Sequence, residues 1–366
     1  MVRSGPLAIA LLAFTGAAQP SATAANMDRE QVVATVLSQL IVPGFSAFAV
    51  DSAELASASE ALCVQPDGER LNVAQDRWQA AAVRWNRLLP YRFGPMRQGF
   101  PASLEWQIDT NLVPGGIRKA AIRDAVEQVL DANYPIDIGV VARQKLFARG
   151  LHAIELMLHE AENGMQDKTA VLPSFRARTG ERKCAYLAAM ASYIQLLAEE
   201  LAAGWKSLAE APPSSAEHPD RNPSVLFDAL LNQSIALLDF VERNKLRVVM
   251  GEQAGAAEEV EAAASDASLA LIRANVEGVN ATFAAGFDQL LKQSGDSSLV
   301  LRYHALYQSV LCALDAVSEP LTEAATANPA ALEALAAALS EWRHLLRLEI
   351  SQALGVTPNF TESDGD

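Results

Sequence analysis

The chain is poor in cysteine and histidine: three cysteines (Cys63, Cys184, Cys312) and five histidines (His152, His159, His218, His304, His344) in 366 residues. Three cysteines allow at most one intramolecular disulfide and leave one thiol over, and their spacing builds no zinc–thiolate site. In an oxidising compartment the expected pair is Cys63–Cys184, both in the first half; the alternative is three buried apolar thiols. Basic residues are also scarce, with 29 Lys+Arg against 44 Asp+Glu and a formal net charge of −15. Neutralising phosphates needs a basic surface, so nucleic acid is excluded as a partner and an anionic membrane surface is disfavoured. The sequence has no Gly-rich phosphate loop and no Gly-x-Ser-x-Gly nucleophile elbow, and no serine or cysteine stands paired with a base. Runs of β-branched residues are rare, and no segment carries a strong strand signal.

Residues 1–25 read as an export signal. Arg3 supplies the positive end, Pro6–Phe14 a short apolar run, and Ala22-Thr23-Ala24 the small-x-small cleavage pattern. The run is too short to span a bilayer. No cysteine lies nearby for lipid attachment, and no later stretch is expected to form a transmembrane segment. Cleavage near Ala24 or Ala25 is expected to release a soluble periplasmic protein.

Alanine and leucine dominate the remainder, and long segments repeat with helical period. Helices are expected over 28–62, bent at Pro43-Gly44, and over 72–89. An irregular stretch at 90–116 precedes helices over 117–130, 138–163 and 180–208. Residues 211–223 form a Pro/Ser/polar linker. Beyond it four helices follow, over 224–250, 265–292, 297–318 and 329–354. Asn222-Pro223 and Asn328-Pro329 each place an amide cap before a proline. The expected fold is all-α: two tandem helical bundles, 26–210 and 224–366, with the linker between them.

The tract Gly150-Leu151-His152-Ala153-Ile154-Glu155 sits within the expected helix 138–163. Residues i and i+3 share a helix face, so His152 and Glu155 can reach one ion or one polar ligand. His159 returns to that face two turns on, roughly 10 Å along the axis, too far for the same ion, and reads as a helix-end or cleft residue. Zinc-protease templates fail, because Ala153 and Leu156 occupy positions that would need glutamate and histidine. A di-iron site would need a second such pair and further glutamates on facing helices. Glu105 and Asp109, in the irregular stretch, are the natural source of further ligands, with Arg92 able to orient a carboxylate. Oxygen and imidazole donors suit iron, zinc or manganese. The competing reading is a buried His–Glu pair that only ties helices together. Trp78 and Trp85, at i and i+7, read as core knobs, and His304 and His344 as solitary structural histidines.

On these residues the chain resembles the imelysin family, also called imelysin-like or insulin-cleaving membrane protease proteins. The resemblance is carried by the export signal, Leu62-Cys63 with Pro66, Arg92-Phe93-Gly94-Pro95, Gly150-x-His152-x-x-Glu155 and Leu354-Gly355-Val356 with the terminal Asp364-Gly365-Asp366. It implies two helical bundles with the GxHxxE motif in a cleft, and an iron-regulated envelope protein. His152 and Glu155 carry over as the metal or ligand pair; the Glu105–Asp109 stretch departs from the pattern at Gln107. The leading expectation is a periplasmic metal-binding protein of iron-uptake type, working with an iron-uptake system or another envelope protein. It would hold a divalent or trivalent ion, iron before zinc, through His152, Glu155, Asp109 and Glu105. One alternative is a metallopeptidase-type hydrolase using the same site. Another is a metal-independent module that binds peptide, polysaccharide or protein.

Overall fold

The computed structural model describes residues 28–99, 102–113, 119–160, 170–212, 221–251, 260–318 and 320–359. The expected export signal, His218 and the tail from Phe360 lie outside them. The described residues are helical, with no strand among them, as an alanine- and leucine-rich composition favours.

Asp28 opens the first helix with a reciprocal cap: its carboxylate accepts from Gln31 N at 2.8 Å, and Asp28 N donates to Gln31 Oε1 at 3.1 Å. Helix α1 (Arg29–Val36) continues through a π-helical segment, Leu37–Ile41, into α2 (Val42–Val64). The irregularity expected at Pro43 takes this form. Proline has no N–H to donate to Gln39, and the wider turn closed by Val42 N on Leu37 O absorbs the mismatch just ahead of it.

Asp67 caps α3 (Gly68–Arg87), accepting from Arg70 N at 2.9 Å. The irregular stretch holds short 3-10 turns and helix α4 (Leu104–Ile108). Helices α5 (Lys119–Asp131), α6 (Ile138–Arg143), α7 (Leu151–His159), α8 (Leu172–Arg176) and α9 (Gly180–Glu210) follow. One expectation is corrected here: 138–163 is not a single helix. It breaks after Arg143, and α7 starts afresh beyond Gly150, whose φ of +93° no helix accommodates.

Helix α10 (Pro223–Phe240) runs through a second π segment, Val241–Leu246, into α11 (Arg247–Val249). Then come α12 (Ser268–Thr282), α13 (Asp288–Gln293), α14 (Ser297–Asp315), α15 (Leu321–Ala327), α16 (Pro329–His344) and α17 (Ser351–Ala353). Both expected caps are present: Asn222 accepts from Ser224 N at 2.9 Å and Asn328 from Ala331 N at 3.3 Å.

Helix α2 packs against α3 and α9, while α10, α12, α14 and α16 pack among themselves. The two sets meet where α1 lies on α10 and α3 on α12. Gly278 makes the second seam possible, because a Cβ there would stand 2.3 Å from Arg87 O. Buried apolar residues from Val32 to Val356 form one cluster, with Trp78, Trp85, Trp205 and Trp342 among its largest fully buried members. Two helices, 29–64 and 223–249, are long and apolar enough to cross a membrane by length and composition, which the sequence reading did not anticipate. Their apolar residues, among them Phe45, Phe48, Leu230 and Leu238, line this core.

Candidate metal centre

Every residue of α7 is buried. Its start depends on a close approach that glycine alone permits: a Cβ at position 150 would stand 2.8 Å from Ile108 O. The first turn of α7, with His152, thereby comes against the end of α4, where Asp109 sits. Helix α3 holds α7 at both ends, through Trp78 Nε1 to Leu151 O and Gln75 Nε2 to Leu158 O, each at 2.8 Å. Trp78 is therefore a core residue, as expected, and also an anchor for the motif helix.

His152 lies between two carboxylates. Asp109 Oδ1 is 3.5 Å from its Nδ1 and Glu261 Oε1 is 3.8 Å from its Nε2. Ligand atoms of Asp109, His152 and Glu261 all lie within 4.8 Å of one another, and all three residues are buried. Asp109 is fixed by Trp85 Nε1, donating to Oδ2 at 2.9 Å, and by Asn111 N, donating to Oδ1 at 3.0 Å. Asn111 Nδ2 stands 2.7 Å from His152 Nε2. With the amide donating, the proton of a neutral ring is assigned to Nδ1, facing Asp109.

Glu261 comes from the 260–267 turn ahead of α12, where Ala262 and Asp266 adopt positive φ of 54° and 57°. Its Oε2 lies 2.7 Å from Lys245 Nζ. Lys245 is delivered by the π segment Val241–Leu246 and also donates to Asn86 Oδ1 and Asn275 Oδ1, both at 2.8 Å. All three ammonium donors are thus engaged. Asn275 Nδ2 donates to Asn86 O at 2.7 Å, locking the α3–α12 seam beneath the site.

Burial pushes the Asp109 carboxyl above its ordinary value; His152 and Lys245 oppose this without reversing it, and Glu261 adds to it. Burial also works against a charged Glu261, but Lys245 and His152 prevail and hold it down to about 2. For His152, burial disfavours the imidazolium. The nearby Glu261 carboxylate, with the charges of Asp109 and Glu155, outweighs it and raises the ring above its ordinary value.

The other expected residues are distributed around this cluster. Glu155 is fully buried, with Oε1 accepting from Ser265 N at 3.1 Å and Ser265 Oγ at 3.0 Å, while Oε2 has no hydrogen-bond partner. It ties α7 to the turn that carries Glu261. Glu105 is engaged by arginines on both oxygens: Arg92 Nε lies 3.3 Å from Oε2 and Arg97 Nε 3.2 Å from Oε1. Arg92 thus orients a carboxylate as expected, and that carboxylate is Glu105. His159 packs edge-on to Trp78, and Glu160 pairs with Arg123 at 2.7 Å. His304 and His344 are exposed, away from any such cluster.

The donor set fits a metal ion. One imidazole and two carboxylates offer the nitrogen and oxygen donors that iron, zinc or manganese accept, with no thiolate among them. Beside the cluster, Glu155 Oε2 is buried with no hydrogen-bond partner, as an oxygen awaiting a ligand would be.

The imelysin family model, peptidase M75, matches residues 41–348. The chain belongs to the imelysin family. It is similar in structure to an imelysin-like protein from Psychrobacter arcticum 273-4, at 18% identity and TM-score 0.75, covering 91% of this chain and 98% of that one. It is also similar to a putative iron-regulated protein A precursor from Parabacteroides distasonis ATCC 8503, at 13% identity and TM-score 0.65, covering 90% and 97%. At such identities the likeness speaks for the fold. No curated protein matches the chain. Within this imelysin-family fold, sequence reasoning missed Glu261, Lys245 and Asn111. The one available signal for Glu261 was the acidic run Glu258-Glu259-Val260-Glu261 just before the expected helix at Ser265.

Proposed function

We propose that this imelysin-family chain binds a metal cation as cargo, iron in preference to zinc, through Asp109, His152 and Glu261. The reading rests above all on one observation: three buried groups of metal-ligating type converge from three distant segments. Glu155 acts beside them, holding the Glu261 turn through Ser265. Glu105 is left out of the ligand set because arginines engage both its oxygens. Iron is favoured because the donors are hard oxygens and one imidazole, and because one structural relative is described as an iron-regulated precursor. The chain would act in the periplasm after export and hand its ion to an uptake system of the envelope.

The chemistry asked of these residues is modest. His152 gives up a proton so that a ring nitrogen can donate, the two carboxylates supply charge, and Lys245 keeps Glu261 in place. Metal analysis of untagged protein, loaded with Fe(II), Fe(III) or Zn(II) and desalted, tests the proposal. Wild type should retain a stoichiometric ion, whereas His152→Ala and Asp109→Asn should retain none. Equal, trace metal in all three proteins would end it.

A further inference from the structure

Helices α2 and α9 run antiparallel, because Phe45 near the start of α2 stacks on Trp205 near the end of α9, at 5.5 Å between ring centroids. Their opposite ends therefore meet as well. There Cys63, in the last turn of α2, and Cys184, early in α9, come together, near enough for each thiol to perturb the other. Both remain free thiols in the structure; Cys184 is buried and Cys63 half-buried, while Cys312 is exposed on α14. The surrounding chain is pinned. Arg176 Nε donates to Pro66 O at 2.8 Å, just after Cys63, and Lys183 Nζ donates to Ser174 Oγ at 2.6 Å, just before Cys184.

We propose that Cys63 and Cys184 form a disulfide that staples α2 to α9, made by exchange with an external disulfide, either a small-molecule one or that of a thiol oxidoreductase. Cys63, the accessible member, loses its proton and attacks one sulfur of the oxidant, whose S–S bond breaks and releases a first thiol. The Cys184 thiolate then attacks the Cys63 sulfur of the mixed disulfide, forming the Cys63–Cys184 bond and releasing the second thiol. The protein thus gives up two electrons and two protons, and the oxidant is reduced to two thiols. In the reduced protein donation from Cys63 lowers the Cys184 thiol; once Cys63 is in the mixed disulfide that donor is gone, and the Lys183 charge still favours the Cys184 thiolate against burial. The staple would also anchor one wall of a cleft of about 510 Å³ lined by Arg123, Leu156, Glu160, Thr179 and Lys183. It is independent of the metal reading.

The test starts from the full-length reduced, folded protein, incubated with oxidised glutathione without denaturant. Titratable thiols should fall from three to a single one, and non-reducing peptide mapping should recover the Cys63 and Cys184 peptides joined. The melting temperature should rise by roughly 5–10 °C, from closing a loop of more than a hundred residues in a chain of this size. Cys184→Ser should trap one glutathione on Cys63, and Cys312→Ser should behave as wild type. Three thiols surviving, glutathione on both Cys63 and Cys184, or a bond to Cys312 would each overturn the proposal.

Discussion

Glu261→Gln removes a charge while preserving side-chain shape, so its cost can be worked from the geometry. Holding the carboxyl at about 2 rather than 4.5 corresponds to about 3 kcal/mol in favour of the charged form. Glutamine also deprives Lys245 of its counter-charge at a site where the lysine is 3% exposed. Breaking a buried pair in this way costs about 3–5 kcal/mol, consistent with the first figure. Unfolding entropy for a chain of this length is about 0.7 kcal/mol/K, so the melting temperature should drop by about 4–7 °C. The assay is scanning calorimetry at pH 7 with chelator, so that metal binding plays no part. A depressed carboxyl contributes stability that is complete above its unfolded value near 4.5 and is lost as pH falls through about 2. The gap between wild type and mutant should therefore be full at pH 7 and close in strong acid. Lys245→Met combined with Glu261→Gln should lose less than the two single changes added together. A single mutant melting within about 1 °C of wild type at pH 7 would refute the argued coupling.

Metal affinity should rise with pH above the ordinary imidazole value of 6.5, because His152 is raised and must shed its proton to bind an ion. Calorimetry in buffers of different ionisation enthalpy should report the released proton, and a pH-independent affinity would contradict it. In the metal-free protein the sign is opposite: stabilisation by His152 is complete below the unfolded value and fades as pH rises through the folded one. Gly150→Ala should cost about 2–4 kcal/mol, because φ is +93° and the new Cβ would meet Ile108 O at 2.8 Å. Urea denaturation reads that loss, and an unchanged midpoint would show that the α4–α7 approach is soft.

The helices were legible because their signals are local. Asn222-Pro223 and Asn328-Pro329 each mark a cap that the structure contains, and the long apolar repeats mark α9, the run from α12 through α13 and the run from α16 through α17 to within a few residues. The helix across 138–163 was misread because its apolar period persists through Gly150, and only the proximity of Ile108 explains why the chain turns there. His152 was legible from its spacing to Glu155, and Asp109 from its place in an irregular stretch. Glu261 was not, because its position depends on a turn with two non-glycine residues at positive φ, which composition does not announce. Lys245 was hidden for a similar reason. It reads as one more charge on a helix, and a π segment rotates it into the interior.

On the proposed metal reading, Lys245 has a consequence for what would happen after an ion departs. A nest of bare carboxylates in a dry interior would swell or draw protons once emptied. Here the ammonium remains at 2.7 Å from Glu261, anchored by Asn86 and Asn275. Vacating the proposed seat would therefore leave its shape standing, ready for the next occupant. Such a pocket suits repeated exchange better than permanent custody.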